Sequence, residues 1–153
     1  MPKQSKKNTK EFIQAVGRRK EAVARARIYS LGKEKELTMN GTTYHKGDII
    51  VNDRPFKDVF KEQVYYSMCL KPFVVTDTRE RFVTTIRVSG GGQNGQVEAI
   101  IHAIARALNT VDKEQYGQTL RSNGLLTRNA KVRERRMVGT GGKSRRRKQS
   151  PKR

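Results

Sequence analysis

Three glycines, Gly90, Gly92 and Gly95 in the stretch VSGGGQNGQ, stand at the spacing G-x-G-x-x-G. That spacing lets a strand-to-helix turn bring backbone N–H groups against a pyrophosphate. A β-rich run, FVTTIRV, leads into the glycines and a helical run, VEAIIHAIARAL, leads out of them. Dinucleotide chemistry needs more than the loop: a second strand must follow the helix, with an acid about 20 residues after the motif. Asp112 stands near that distance, but the segment after Leu108, NTVDKEQYGQTLRSNG, is polar and holds no β run. No Gly-Lys-Ser/Thr closes the loop, so it is not a Walker A site. Two readings remain, a flexible turn or a helix start whose free N–H groups face the phosphate of a polymer.

The other residues able to do chemistry are few. His102 is expected on the polar face of that helix between Glu98 and Arg106, where a surface pair is the ordinary outcome, and His45 sits alone in a loop. One Cys and two scattered His do not supply a metal-ligand set. Cys69 falls in an apolar helical stretch and reads as a buried structural thiol; as the single cysteine it fits a reducing compartment, with cytoplasm the expected location. No catalytic residue, metal or cofactor is expected. Aromatics make up 7% of the chain, too few for a stacking platform for single-stranded bases.

Charge is the strongest signal. The 153 residues carry 34 Lys and Arg against 14 Asp and Glu, a net charge of +20. Its distribution matters more than its size: net +7 falls in residues 1–27, +2 in 28–127 and +11 in 128–153. A nearly neutral body with two cationic ends suits a polyanion, whose condensed counterions are released on binding. No apolar run approaches the ~20 residues that span a bilayer. The N-terminus lacks the apolar core of a secretory signal and, having no Arg, resembles a transit peptide only slightly.

The elements that position these residues follow from periodicity. FIQAVGRRKEAVARARIYSL reads as a strand or long β-hairpin arm; Ala22, Ala24, Ala26 and Ile28 share a shallow face suited to a closely packed helix, and Val23, Arg25, Arg27 and Tyr29 share the other. Short strands are expected around Leu37–Asn40 and Asp48–Val51, with a tight turn at Asn40-Gly41. Phe56, Val59, Phe60, Val64 and Met68 recur at helical spacing and predict a helix or helix pair that stops at Pro72. FVVT and RFVTTIRVS predict two strands joined by the turn DTRE, the second with Phe82, Thr84, Ile86 and Val88 facing the core. The clearest helix has Val97, Ile100, Ile101, Ile104 and Leu108 as its apolar stripe; Asp112 caps a shorter helix that Asn123-Gly124 ends. The expectation is one α/β domain over 13–127, of about four strands and two or three helices. A disordered basic extension over 1–12 precedes it, and an extended basic tail over 128–153 follows, with order at 1–10 and 138–153 gained only on RNA.

Four stretches together carry a family resemblance: AVGRRKEAVARARI, VSGGGQNGQVEAIIHAIARAL, NGLLTRNAKVRERR and a terminal KR, in that order. The chain resembles the small-subunit ribosomal protein S-nine family in its bacterial form, over about residues 13–153. The resemblance implies a two-layer α/β fold shared with the second domain of ribosomal protein S-five, with a left-handed βαβ crossover against the usual preference. It implies a place in the head of the small subunit, bound to ribosomal RNA and beside neighbouring head proteins, not in a membrane or an obligate homo-oligomer. It also implies that the C-terminal tail reaches peptidyl-site tRNA, through Lys152 and Arg153. The tail departs from the family pattern at Asn129, in its extra glycines and in its Ser150-Pro151-Lys152-Arg153 ending.

The residues expected on ribosomal RNA are Arg18, Arg19, Lys20, Arg25 and Arg27 of the arm, Gly90, Gly91, Gly92 and Gln93 of the loop, and Arg128, Lys131, Arg133, Arg135, Arg136, Lys143, Arg145, Arg146, Arg147 and Lys148 of the tail. Composition alone also admits a free RNA chaperone or nucleoid-type protein.

Overall fold

The computed structural model describes residues 12–31, 36–39, 41–142 and 144. The expectations for residues 1–10, for Lys143 and for residues 145–153, Lys152 and Arg153 among them, lie outside the described residues. In chain order the elements are β1 (Phe12–Arg19), β2 (Ala22–Ser30), β3 (Glu36–Met39), β4 (Thr42–His45), β5 (Ile49–Val51), β6 (Arg54–Pro55), α1 (Phe56–Val59), α2 (Gln63–Val75), β7 (Phe82–Ser89), α3 (Gln93–Val111) and α4 (Lys113–Ser122). The main sheet runs β1-β2-β7-β5-β6, and β3-β4 form a separate hairpin. Four strands and the two-residue edge strand β6 therefore back the helices as one α/β body. β1, β2 and β7 are antiparallel, whereas β5 lies parallel to β7, joined to it by a crossover that contains α1 and α2.

The long arm is a β-hairpin turned at Lys20 and Glu21, in the register Gly17↔Ala24 and Arg19↔Ala22. Its alanine face works as expected. Ala22, Ala24 and Ala26 are wholly buried, and α3 lies across them and across β1. The approach is close because Gly17 has no side chain: a Cβ there would overlap the Ala99 carbonyl oxygen and stand 2.5 Å from the Ala103 nitrogen. Small residues on both layers thus bring helix backbone onto strand backbone. Large apolar side chains fill the rest of this layer, with Ile28, Phe82 and Ile86 of the sheet set against Ile100, Ile104 and Leu108 of α3. A second, smaller cluster on the opposite face of the sheet gathers Tyr29, Leu31, Leu37, Ile50 and Val83 under the β3-β4 hairpin.

Three local expectations are corrected. FVVT is not a strand: Phe73–Val75 form the last turn of α2, and no hairpin spans DTRE. β7 pairs instead with β2 and β5. A short apolar run fits a buried strand and a buried helix turn equally by periodicity; here Phe73 packs under α3 with Cys69 and Leu70. Second, α2 continues through Pro72. A proline this near the C-terminal end removes one helical N–H donor and ends nothing by itself; Thr76 closes the helix, its backbone N–H and hydroxyl both donating to the Pro72 carbonyl. Third, the buried stripe of α2 is Cys69, Leu70 and Phe73, while Val64 and Met68 stand 63% and 45% exposed. β4 lies where the periodicity predicts no strand: its Thr-Thr-Tyr-His carries little apolar signal and pairs with β3 through Leu37↔Tyr44.

At the other end, Asp112 caps α4 as expected, its side chain accepting from the Gln115 N–H at 2.9 Å. The helix ends at Asn123, and Gly124 takes φ +69°. From Thr127 to Met137 the backbone holds neither helix nor strand and the side chains are exposed.

Candidate nucleic-acid interface

The glycine loop joins β7 to α3 at the tip of the β1-β2 hairpin. Gly90 and Gly91 take φ +73° and +63°, where glycine alone is unstrained. A Cβ on Gly90 would stand 2.5 Å from the Glu21 carbonyl oxygen, and one on Gly91 3.0 Å from Ala22. The fold itself therefore demands these two glycines. Gly92 differs: its φ of −98° suits any residue, and a Cβ there meets nothing within 4 Å.

Gly92 is also the N-cap of α3, and no side chain caps the helix start. The first intrahelical bond runs from the Gln96 N–H to the Gly92 carbonyl at 2.9 Å. The N–H groups of the first turn and the positive end of the dipole of a 19-residue helix thus open beside the loop. Two side-chain bonds hold the turn in place: the Tyr65 hydroxyl donates to Asn94 Oδ1 at 2.6 Å, and Gln96 Nε2 donates to the Gly90 carbonyl at 3.0 Å.

Around this helix start lies a cleft of about 770 Å³, walled by the loop, by Lys20 and Glu21 of the hairpin tip, and by Lys131 and Arg133 of the segment after α4. Lys20, Lys131 and Arg133 set three cations against one acid. Lys20 sits at φ +51° in the turn. Lysine ammonium, arginine fork and backbone N–H groups lining one volume are the kind of donors that hold a phosphate.

Arg19 borders the cleft but is already engaged. Its side chain is 13% exposed; Nε pairs with the Glu98 carboxylate, and Nη1 donates to the Lys131 carbonyl at 2.9 Å and the Asn129 carbonyl at 3.4 Å. It ties the start of the C-terminal segment to α3 and so fixes where Lys131 and Arg133 stand. Arg106 donates to the Val16 carbonyl and locks α3 to β1 from the same side. Sequence separations of 79, 110 and 112 residues make the Arg19 contacts invisible to any local pattern.

His102 belongs to the same seam. Its Nε2 lies 3.3 Å from the Leu126 carbonyl, while its Nδ1 is buried without a hydrogen-bond partner among the described residues. Burial pushes its pKa below the usual value; the Leu126 carbonyl opposes that shift, and Arg106 and Arg128 add to it. His102 is a structural contact to the root of the tail. Cys69 is buried, and burial pushes its thiol up to about 12, which leaves no thiolate to react. Among the described residues no group of His, Cys, Asp and Glu could hold a metal ion. No described helix is long and apolar enough to cross a membrane.

The remaining site residues divide by position. Gly91 to Gln93, Lys20, Lys131 and Arg133 come together at the cleft, and Gly90 stands in the turn just before it, packed against Glu21. Arg18 and Arg128 border a neighbouring hollow along α3 with His102. Arg25 and Arg27 lie on the far face of the sheet, where Arg27 donates to Gln14 at 3.1 Å and stacks on Phe12 at 4.7 Å. Arg135 and Arg136 are exposed beyond the cleft.

After α3 the described chain continues into α4 and no further strand follows, so the acid-bearing second strand of a dinucleotide site is missing. What matches instead is a protein family. Residues 17–153 match the family described as ribosomal protein S9/S16. The small ribosomal subunit protein uS9 of Solidesulfovibrio magneticus is 38% identical over 132 residues, covering 86% of this chain and 90% of that protein. The protein of the same name from Dehalococcoides mccartyi is 40% identical over 133 residues, covering 87% and 88%. That of Leifsonia xyli subsp. xyli is 39% identical over 125 residues, covering 82% of this chain and 66% of the longer relative. A cationic body, a glycine loop without a second nucleotide-binding strand and a match over 17–153 have one common source: the chain belongs to the ribosomal protein S9/S16 family of small-subunit ribosomal proteins.

Proposed function

We propose that the chain is an RNA-binding structural constituent of the small subunit of the cytoplasmic ribosome, and that the cleft at the start of α3 receives a backbone phosphate of ribosomal RNA. The observation that carries this reading is the uncapped first turn of α3, open to a cleft whose other walls bring Lys20, Lys131 and Arg133. Such a site reads charge and shape, not base identity. The glycine at 92 has no steric reason among the described residues, and close approach of a phosphate supplies one. Arg19 acts here as a positioning residue that holds the tail root, while Arg18, Arg128, Arg135 and Arg136 extend the cationic surface on either side.

Gly92→Asp separates the two readings of this glycine. Aspartate is a favourable N-cap and complements the helix dipole, so the free protein should keep or gain stability. Its carboxylate would occupy and repel the phosphate position, so affinity for deproteinised small-subunit ribosomal RNA should fall at least about tenfold. Unchanged RNA affinity with a correctly folded variant would remove the cleft from the interface.

The tail completes the proposal. Its further cations Lys143, Arg145, Arg146, Arg147 and Lys148 extend along ribosomal RNA, and Lys152 and Arg153 contact the backbone of peptidyl-site tRNA beside neighbouring head proteins. The family resemblance supports this assignment, together with a terminal guanidinium suited to phosphate. Deleting Lys152 and Arg153 should weaken peptidyl-site tRNA binding and leave subunit assembly intact; unaltered tRNA affinity and decoding fidelity would confine the tail to ribosomal RNA.

A further inference from the structure

The face of the sheet turned away from α3 carries a charge arrangement that the fold does not explain. Side chains alternate along a strand, so with Ala24, Ala26, Ile86 and Val88 buried against the helices, Arg25 of β2 and Arg87 of β7 project to the other side. The two are direct cross-strand partners. Like charges placed directly opposite destabilise a sheet, and alternation leaves many neutral choices for an exposed position. Nearby, Arg27 is already held by Gln14 and Phe12. Arg25 has no hydrogen-bond or ion-pair partner among the described residues.

The compensating acid is weak. Asn52 and Asp53 turn β5 into β6 with φ +48° and +64°, and the Asn52 side chain pairs with the Val88 backbone at 3.1 and 3.0 Å. This turn sets the Asp53 carboxylate 3.7 Å from Arg87, with the two side chains 75% and 69% exposed. An exposed pair at that distance is largely screened by water and salt. The arginines, Asp53 and Tyr44 of the β3-β4 hairpin line a hollow of about 220 Å³. One wall is the small cluster that seats the hairpin, so the hollow is built on rigid elements and not on a loop.

We propose that this hollow is a second phosphate site, in which Arg25 and Arg87 together hold the backbone of a ribosomal RNA segment other than the one in the α3 cleft. The proposal rests on the RNA-binding reading above and extends it: cations on the sheet's open face and at the start of α3 make the body a clamp between two RNA segments. Two guanidinium forks brought together by strand pairing suit a phosphodiester, whose oxygens accept from both. The anion also removes the repulsion that the strands impose in the free protein.

The test uses the full chain and deproteinised small-subunit ribosomal RNA over a salt series, comparing Arg25→Ala, Arg87→Ala, Gly92→Asp and Arg121→Ala, the last an exposed arginine of α4. Arg25→Ala and Arg87→Ala should each weaken binding and lower the slope of log affinity against log salt by about 1. Each should also melt no lower than the parent, because a like-charge pair has been relieved. If both keep the parent slope while Gly92→Asp binds poorly, the open-face site is wrong and the cleft stands. If all four variants bind as the parent does, the RNA reading fails as well. An equal loss from Arg121→Ala would reduce the effect to net charge and overturn the site, and a lower melting temperature for Arg87→Ala would make its pair with Asp53 merely structural.

Discussion

Gly17 and Gly92 both belong to the surroundings of α3, one beneath its middle and one at its first turn, and they differ in what a side chain would meet. At Gly17 a Cβ runs into the backbone of Ala99 and Ala103; at Gly92 it meets open space. The first glycine is a term in the packing of the protein; the second is not, and the phosphate proposed for the cleft is what would give it a role. The seam between α3 and the β1-β2 hairpin is built for permanence. Alanines face it from β2, Arg106 reaches Val16 and Arg19 reaches Glu98 across it, and its interior is wholly buried. The cleft at the head of the same helix is left uncapped, exposed and cationic, which a free protein gains nothing from. A single helix thus combines a packed middle with an uncapped end that faces the cleft.

The comparison breaks most violently at the seam. Gly17→Val should destabilise by at least about 3 kcal/mol, because the obstacle is helix backbone that cannot rotate away. Chemical denaturation of the purified variant measures this; a loss below about 1 kcal/mol would mean that α3 can slide off β1 without penalty. Gly90→Ala should be milder, about 1–3 kcal/mol, through its positive φ and the Glu21 carbonyl. Gly92→Asp should fall on the other side of zero, keeping stability or raising it by about 0.5 kcal/mol while RNA binding drops. If Gly92→Asp destabilised as Gly90→Ala does, the loop would be one structural unit and the contrast between its glycines would vanish.

The seam was largely legible in the sequence and the cleft only by halves. Alternating alanines at 22, 24 and 26 announce a face made for close packing, and the Val97 to Leu108 stripe announces the helix that takes it, because each pattern lies within one element. Asp112 and Gly124 mark the ends of α4 by local chemistry that survives any tertiary context. The reading failed where local signals tie: Phe73, Val74 and Val75 suit a strand and a helix turn alike, and packing under α3 decided for the helix. It was silent where partners are distant. Nothing near Arg19 tells that its fork is filled by Glu98 and by carbonyls 110 and 112 residues away. Nothing near Arg87 tells that β2 will set Arg25 opposite it. A cation's sequence neighbours say that it is charged; only the fold says whether that charge is still free to meet a phosphate.

The smallest expected effect lies between the two regions, at the tail root, and it sharpens the boundary between them. His102 reaches from α3 to the Leu126 carbonyl, just before the segment that carries Lys131 and Arg133 into the cleft. Its folded pKa lies below the ordinary 6.5, chiefly through burial, with Arg106 and Arg128 adding to the shift and the Leu126 carbonyl resisting it. The folded protein therefore binds this proton less readily than the unfolded chain does. The contribution of neutral His102 is complete above 6.5 and is lost as pH falls below that value through the folded pKa. The loss should be local before it is global: a charged imidazole beside two arginines favours release of the segment around Leu126, not the unfolding of α3. Amide exchange, corrected for the intrinsic effect of pH, should show the Leu125 amide, which donates to the Leu120 carbonyl, losing protection on acidification while the amides of β2 and β7 keep theirs. His102→Gln has no imidazole to titrate and should abolish the difference. Equal protection of Leu125 on both sides of 6.5 in the parent would show that His102 does not govern the tail root, and the pH response would have to be dropped.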